Sequence, residues 1–276
     1  GLTVNVTALD NTVTSTGSFE DGILAELSAD QMTVDANVSG NELDADGDAV
    51  VIETFSPEMT TALTVAENVI EPGSKAGIVL DGGDNQTATW RVRDNEIGQR
   101  RTGIELDSVQ LRDTGSYDVS VRNNTVTNAS TVGLSIDPDS GTASQSGTVA
   151  VERNNISSEA TTVRVDSGPV AGIDLSNNRF DANGVGVENL NTTAGTYVNA
   201  TSNYWGAGDG PGSVGPYEDP VTGTLANGSG SNVPNATAQV ANVHFDPFLT
   251  SPPDLSGTVD FTVGIDGTNA PVTEGE

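Results

Sequence analysis

Val92-Arg93-Asp94-Asn95-Glu96-Ile97 is one copy of a six-residue word that decides the fold. The word reads apolar, two variable, Asn, one variable, apolar. It returns as Val38-Ser39-Gly40-Asn41-Glu42-Leu43, Val65-Ala66-Glu67-Asn68-Val69-Ile70 and Val121-Arg122-Asn123-Asn124-Thr125-Val126. Two more copies are Val151-Glu152-Arg153-Asn154-Asn155-Ile156 and Leu175-Ser176-Asn177-Asn178-Arg179-Phe180. Looser copies surround Asn11 and Asn203. Successive Asn are 30, 27, 27, 29, 30, 24 and 25 residues apart. Such a period marks a repeat architecture, in which one unit cannot bury its apolar face alone and stacks on its neighbours.

A second word follows each of the first seven copies: apolar, variable, apolar, acid. Ile78-Val79-Leu80-Asp81, Ile104-Glu105-Leu106-Asp107, Leu134-Ser135-Ile136-Asp137 and Val163-Arg164-Val165-Asp166 are clear examples. Val50 to Glu53 and Val185 to Glu188 also match, as does Ile23 to Glu26 loosely. A glycine often stands before it (Gly22, Gly77, Gly103, Gly133, Gly184). Both words alternate with period two, the pattern of half-buried strands. No segment carries a helical apolar stripe over ten residues. The chain is therefore predicted to be all-β, a parallel solenoid of about eight coils over residues 1–250. At a strand spacing of ~4.8 Å it would form a rod roughly 38 Å long.

In that register the repeated residues Asn11, Asn41, Asn68, Asn95, Asn124, Asn154, Asn178 and Asn203 fall at a corner after a strand. Asn tolerates the left-handed region and bonds its own backbone, so a bend favours it. Stacked coil on coil, these side chains would form a ladder and serve as scaffold.

The 276 residues carry 39 Asp and Glu against 10 Lys and Arg, a net charge of −29. That balance excludes nucleic acid and anionic membrane surfaces as partners, because phosphate binding needs clustered cations. The absence of cysteine removes disulfides, thiol catalysis and thiolate metal sites. One His and two Met leave little for copper or zinc. No run of about 18 apolar residues suggests a membrane span. Acid spread along the whole chain is tolerable where salt screens it, since the Debye length at 1 M is only about 3 Å. The composition resembles that of proteins from extreme halophiles, archaea above all.

The repeats resemble the right-handed parallel β-helix repeat family. Asn203-Tyr204-Trp205-Gly206, then Asp209-Gly210-Pro211 and Asp219-Pro220-Val221, ending in Val243-His244-Phe245-Asp246-Pro247-Phe248-Leu249, look like the closing stretch of β-helix regions in large prokaryotic surface proteins. The resemblance implies the fold. It says little of function, since the same helix serves adhesins, lyases, hydrolases and phage tailspikes. Ser251-Pro252-Pro253-Asp254 reads as a linker, and Asn269 to Glu276 resembles the opening of an Ig-like adhesion module. Residues 251–276 are thus expected to be a linker and the start of such a module, or a strand packed back on the helix. The chain is read as part of a larger multi-domain protein.

Three sets of residues are candidate sites. Glu42, Asp44, Asp46, Asp48 and Glu53, with Gly47 between them, fit the spacing of a calcium loop except for Glu at its first position. Calcium is the one cofactor this suggests. Glu26, Glu53, Asp81, Asp107, Asp137, Asp166 and Glu188 would stack as an acidic column, a cation-binding edge or the acid row of a polysaccharide groove. Arg91, Arg93, Arg122 and Arg164 lie on strand words and would supply a lyase base. The N-T-D, G-H-G and R-I-K motifs of polygalacturonases are absent, and His244 reads as packing. Ten N-x-[ST] sequons favour an exported glycoprotein, with Asn85, Asn191, Asn227 and Asn235 in loop-like stretches.

Together these point to a non-catalytic structural or adhesive module, extracellular or on the cell surface. Its partners would be carbohydrate or other surface proteins. A polysaccharide-active or carbohydrate-binding β-helix is the alternative, and a viral tail fibre or spike the second.

Overall fold

The computed structural model describes residues 2–15, 20–29, 31–56, 58–83, 86–109, 116–138, 147–191, 193, 195–234 and 242–255. It is a parallel β-solenoid, all strand and turn in those residues. Three sheets run along it, of nine, seven and nine strands. Each coil passes through all three in turn. The coil around Asn95, for example, supplies Thr87–Arg93 to sheet 1, Glu96–Ile97 to sheet 2 and Thr102–Val109 to sheet 3. Seven coils supply a strand to every sheet, slightly fewer than the eight expected. The coil of Asn203 has only a single bridge, Tyr204 to Arg179, where the middle strand would be.

Alternation explains the strands. In Thr87–Arg93 the residues Ala88, Trp90 and Val92 point inward, while Thr87, Thr89, Arg91 and Arg93 face water. The inward residues stack in rows from coil to coil, as Ile52, Leu80, Leu106, Ile136 and Val165 do in sheet 3. One continuous apolar core results, running from Met32 to Phe245. Val4, Val6, Val13, Ile23 and Leu27 of the first coil are only partly buried. At the far end Trp205 packs edge-on against Phe180, ring centroids 5.6 Å apart, and Tyr217 lies against Phe245.

The eight asparagines form the ladder. From Asn41 onward each Oδ1 accepts two bonds from the Asn before it, one from the backbone N–H and one from Nδ2, as Asn124 does from Asn95 at 3.1 and 2.9 Å. The remaining Nδ2 proton reaches a carbonyl of the preceding coil, such as Asn124 to Val92 at 2.9 Å. All eight corners differ from expectation in one respect. The left-handed residue is not the Asn but the one before it: Asp10, Gly40, Glu67, Asp94, Asn123, Arg153, Asn177 and Ser202, with φ between 53° and 69°. That residue makes the bend, and the Asn amide ties down the carbonyls around it.

The glycine before the second word is explained by the next corner. A Cβ on Gly103 would lie 2.5 Å from the Gly133 carbonyl oxygen and 2.5 Å from Val126 Cγ1. Gly77, Gly103, Gly133 and Gly186 share this row, so the seventh member is Gly186 rather than Gly184.

Candidate functional site

The acidic column holds over its first four members. Glu26 pairs in register with Glu53, Glu53 with Asp81, and Asp81 with Asp107. Burial and the neighbouring carboxylates Asp81 and Glu26 push Glu53 above the ordinary range. Burial likewise raises Asp81, against a hydrogen bond from Ser108 that lowers it and with Asp107 raising it further. Glu105, absent from the predicted column, faces the same way two residues earlier. Burial and Asp107 raise it, while Arg101 lowers it.

Beyond Asp107 the column breaks. The register shifts between Leu106 and Val109, where Ser108 takes a positive φ of 52°. Such a bulge re-aims the strand. Asp166 is then held by Arg164 at 2.7 Å. Glu188 leaves the column altogether, because its register partner is Arg164 and not Asp166. Val187 continues the row of Val163, two residues from where the sequence words align it. Above the coils of Glu26 to Asp107, Arg164 stands beside both Asp166 and Glu188.

The calcium spacing is corrected by Arg100. This guanidinium is buried beneath the loop, two coils on from it. Nη1 donates to the carbonyls of Ala45 at 2.8 Å and Gly47 at 2.9 Å, and Nε to that of Glu71 at 2.8 Å. The loop is thus pinned from beneath by an internal cation. Asp48 accepts the Ala76 N–H at 2.7 Å, and Asp46 gives its carbonyl to Ser74. Glu42 and Asp44 sit in sheet 2 and Glu53 in sheet 3, so they do not converge. Among the described residues no group of three or more His, Cys, Asp or Glu is placed to hold a metal. Gly73 leaves the space: its Cβ would lie 2.1 Å from Arg100 Nη1.

The arginines offered as bases are tied up in surface ion pairs. Arg91 meets Asp118 at 2.5 Å, Arg93 meets Glu67 and Asp94, and Arg122 meets Glu152. Such exposed pairs contribute about 0–1 kcal/mol each.

A more organised centre lies in the closing stretch. Asp219 is fully buried and accepts from five donors: Val221, Thr222, Phe245 and Asp246 through backbone N–H, and His244 through Nδ1 at 2.9 Å. Burial raises its carboxyl. The donors outweigh that, chiefly Thr222 N–H and His244, and hold it down at about 2. Facing a carboxylate, His244 presents an Nδ1–H to Asp219. Tyr197 meets the His244 ring edge-on, centroids 5.7 Å apart. In register, Asp174, Asn199 and His244 are consecutive on the outer face of sheet 1. Sequence reading treated His244 as packing. The Asp219-to-His244 spacing of 25 residues, one coil, was the available signal.

Sheet 1 carries a second feature that the sequence words hid. Thr3, Thr33, Thr60, Thr87 and Ser116 pair in exact succession and all are exposed.

Of the glycosylation candidates, Asn227 is exposed. Asn191 is corrected: its side chain is buried, with Oδ1 accepting from Thr193 N–H at 2.8 Å and Nδ2 bonded to the Gly168 carbonyl. Asn85 and Asn235 lie outside the described residues, as do Thr258 to Glu276 and with them the expected Ig-like opening. Comparison with protein families, with curated proteins and with solved structures found no match to this chain.

Proposed function

We propose that the chain is a non-catalytic, stiff structural or adhesive module of a secreted or cell-surface glycoprotein from a halophile. The observation that carries this reading is the Asn ladder. Eight stacked amides, seven of them buried, bonded in one file beside a continuous core, make a frame of fixed length whose outer faces are free to vary. The net charge of −29 supports a salt-rich habitat, where it would be screened. The exposed Asn227 sequon supports export. Calcium is not part of the reading.

Incubation with a panel of neutral and uronate polysaccharides in molar NaCl tests it. Reversible retention on a polymer, with no change in the polymer, is the expected result. New reducing ends or unsaturated products would overturn the non-catalytic reading and favour a polysaccharide-active enzyme.

A further inference from the structure

Beside the closing coil lies a cleft of about 270 Å³. Its apolar wall is Val170, Ala171 and Ile173; Tyr197 forms the aromatic wall, and Asn199 and Thr196 add polar groups. The volume falls just below the 300–1,000 Å³ of pockets for drug-sized ligands, so it suits one small ring.

Tyr197 is 38% exposed, yet it is held firmly. Gly195, at φ 80°, turns the chain so that Tyr197 projects beside Asn199, and the Thr196 N–H closes the turn on the Thr193 carbonyl at 3.2 Å. The Tyr197 and His244 rings pack at 77° with centroids 5.7 Å apart, and His244 is anchored by Asp219. A buried carboxylate with five donors thus supports, through one imidazole, an exposed aromatic face. An aromatic ring fixed in this way is a preorganised platform, which reduces the ordering lost on binding. Asn199 lines the cleft, and its register neighbours on the outer face of the sheet are Asp174 on one side and His244 on the other.

A ligand matching that chemistry has an apolar ring face rimmed by hydroxyls. A pyranose has both. Asp174 and the net charge of −29 repel anionic sugars. We propose that the Tyr197 cleft binds one neutral pyranose residue of a glycan, its C–H face on Tyr197 and its hydroxyls toward Asn199, Asp174 and His244. The biological use of this subsite rests on the adhesive reading above; the ligand chemistry does not.

Saturation-transfer NMR on the full chain in molar NaCl tests the proposal, with methyl glycosides of neutral hexoses and of glucuronic acid as probes. Millimolar binding of at least one neutral glycoside is expected, weakened about tenfold or more in Tyr197→Ala and retained in Tyr197→Phe. Asn199→Ala, on the same wall, should weaken it as well. Equal affinity in Tyr197→Ala, preference for the uronic acid, or no binding of any glycoside would overturn the subsite. Retention on whole polysaccharides that survives Tyr197→Ala would overturn the subsite alone and leave the adhesive reading in place.

Discussion

Nη1 of Arg100 donates to the carbonyl of Gly47 at 2.9 Å, across 53 residues of sequence. One side chain thereby ties together three successive coils, because Nε also holds the Glu71 carbonyl in the coil between. Burial lowers the guanidinium's affinity for its proton, while Asp48, Asp44 and Asp46 raise it. An arginine stays charged under such conditions.

Arg100→Met should therefore destabilise the rod. It strips the donors from the carbonyls of Ala45, Gly47 and Glu71, and each unsatisfied buried acceptor costs about 1–3 kcal/mol. A loss of about 3 kcal/mol is expected in urea unfolding. Arg100→Lys should recover little, since an ammonium lacks the planar fork. Wild-type stability in Arg100→Met would show that the guanidinium is not a staple.

Within the ladder, position decides the penalty. Asn124→Ala removes the acceptor of Asn95 and the donors to Val92, Arg122 and Asn154, all in the interior. Asn11→Ala removes only the Nδ2 bond to Asn41 in an exposed first coil, because the backbone N–H that also meets Asn41 remains. At about 1 kcal/mol per bond, Asn124→Ala, which loses five, should cost about 5 kcal/mol and Asn11→Ala, which loses one, about 1. Paired thermal melts in high salt compare them. Equal losses would mean the ladder is ornamental to the core.

Acid should act on this protein in two opposite steps. Glu53, Asp81 and Glu105 have raised folded values, so their contribution is present at low pH and lost as pH rises through those values. Stability at low salt should rise as pH falls from neutrality toward the ordinary Glu value of 4.5. Asp219 is depressed to about 2, so its contribution is present above the ordinary 3.8 and lost as pH falls through about 2. A maximum in mildly acidic solution follows. Glu53→Gln should flatten the upper step and Asp219→Asn the lower one; a curve that rises steadily with pH would refute the raised carboxyls, and stability that holds unchanged as pH falls through about 2 would refute the depressed Asp219. Molar salt should shrink the upper step by screening the row.

Gly103→Ala should lose about 2 kcal/mol by overpacking the corner against Val126 and the Gly133 backbone. The same change at Gly215, where nothing lies within 4 Å of a Cβ, meets no such wall, although its φ of 90° strains an alanine. Chemical unfolding of Gly103→Ala with and without Val126→Ala separates crowding from backbone strain, because only crowding is relieved by the second change.

The period and the alternation were legible because each is a local pattern with one physical meaning. Asn at a fixed interval could only stack, and Val-x-Val could only pair as strand. What the words misplaced depended on events outside them. Glu188 slipped by two residues because the ring of Trp205, one coil on, needs Gly186 beneath it. The calcium spacing around Asp44 and Asp46 was a turn whose partner, Arg100, lies two repeats away. Asp219 and His244 look unremarkable in sequence because neither belongs to a repeated word, so their one-coil spacing of 25 residues does not stand out. Their meaning comes from five donors that only the closed coil assembles.

The rungs of the ladder keep one length while the chain between them does not. Nδ2 to Oδ1 is 2.8 Å where 27 residues separate Asn41 from Asn68, 3.0 Å where 30 separate Asn124 from Asn154, and 2.9 Å where 24 separate Asn154 from Asn178. The spacing of the rungs is thus indifferent to the number of residues between them. Descent with insertion and deletion can therefore rewrite the flanks of this protein coil by coil, acquiring or discarding recognition surfaces, while the frame registers no change at all.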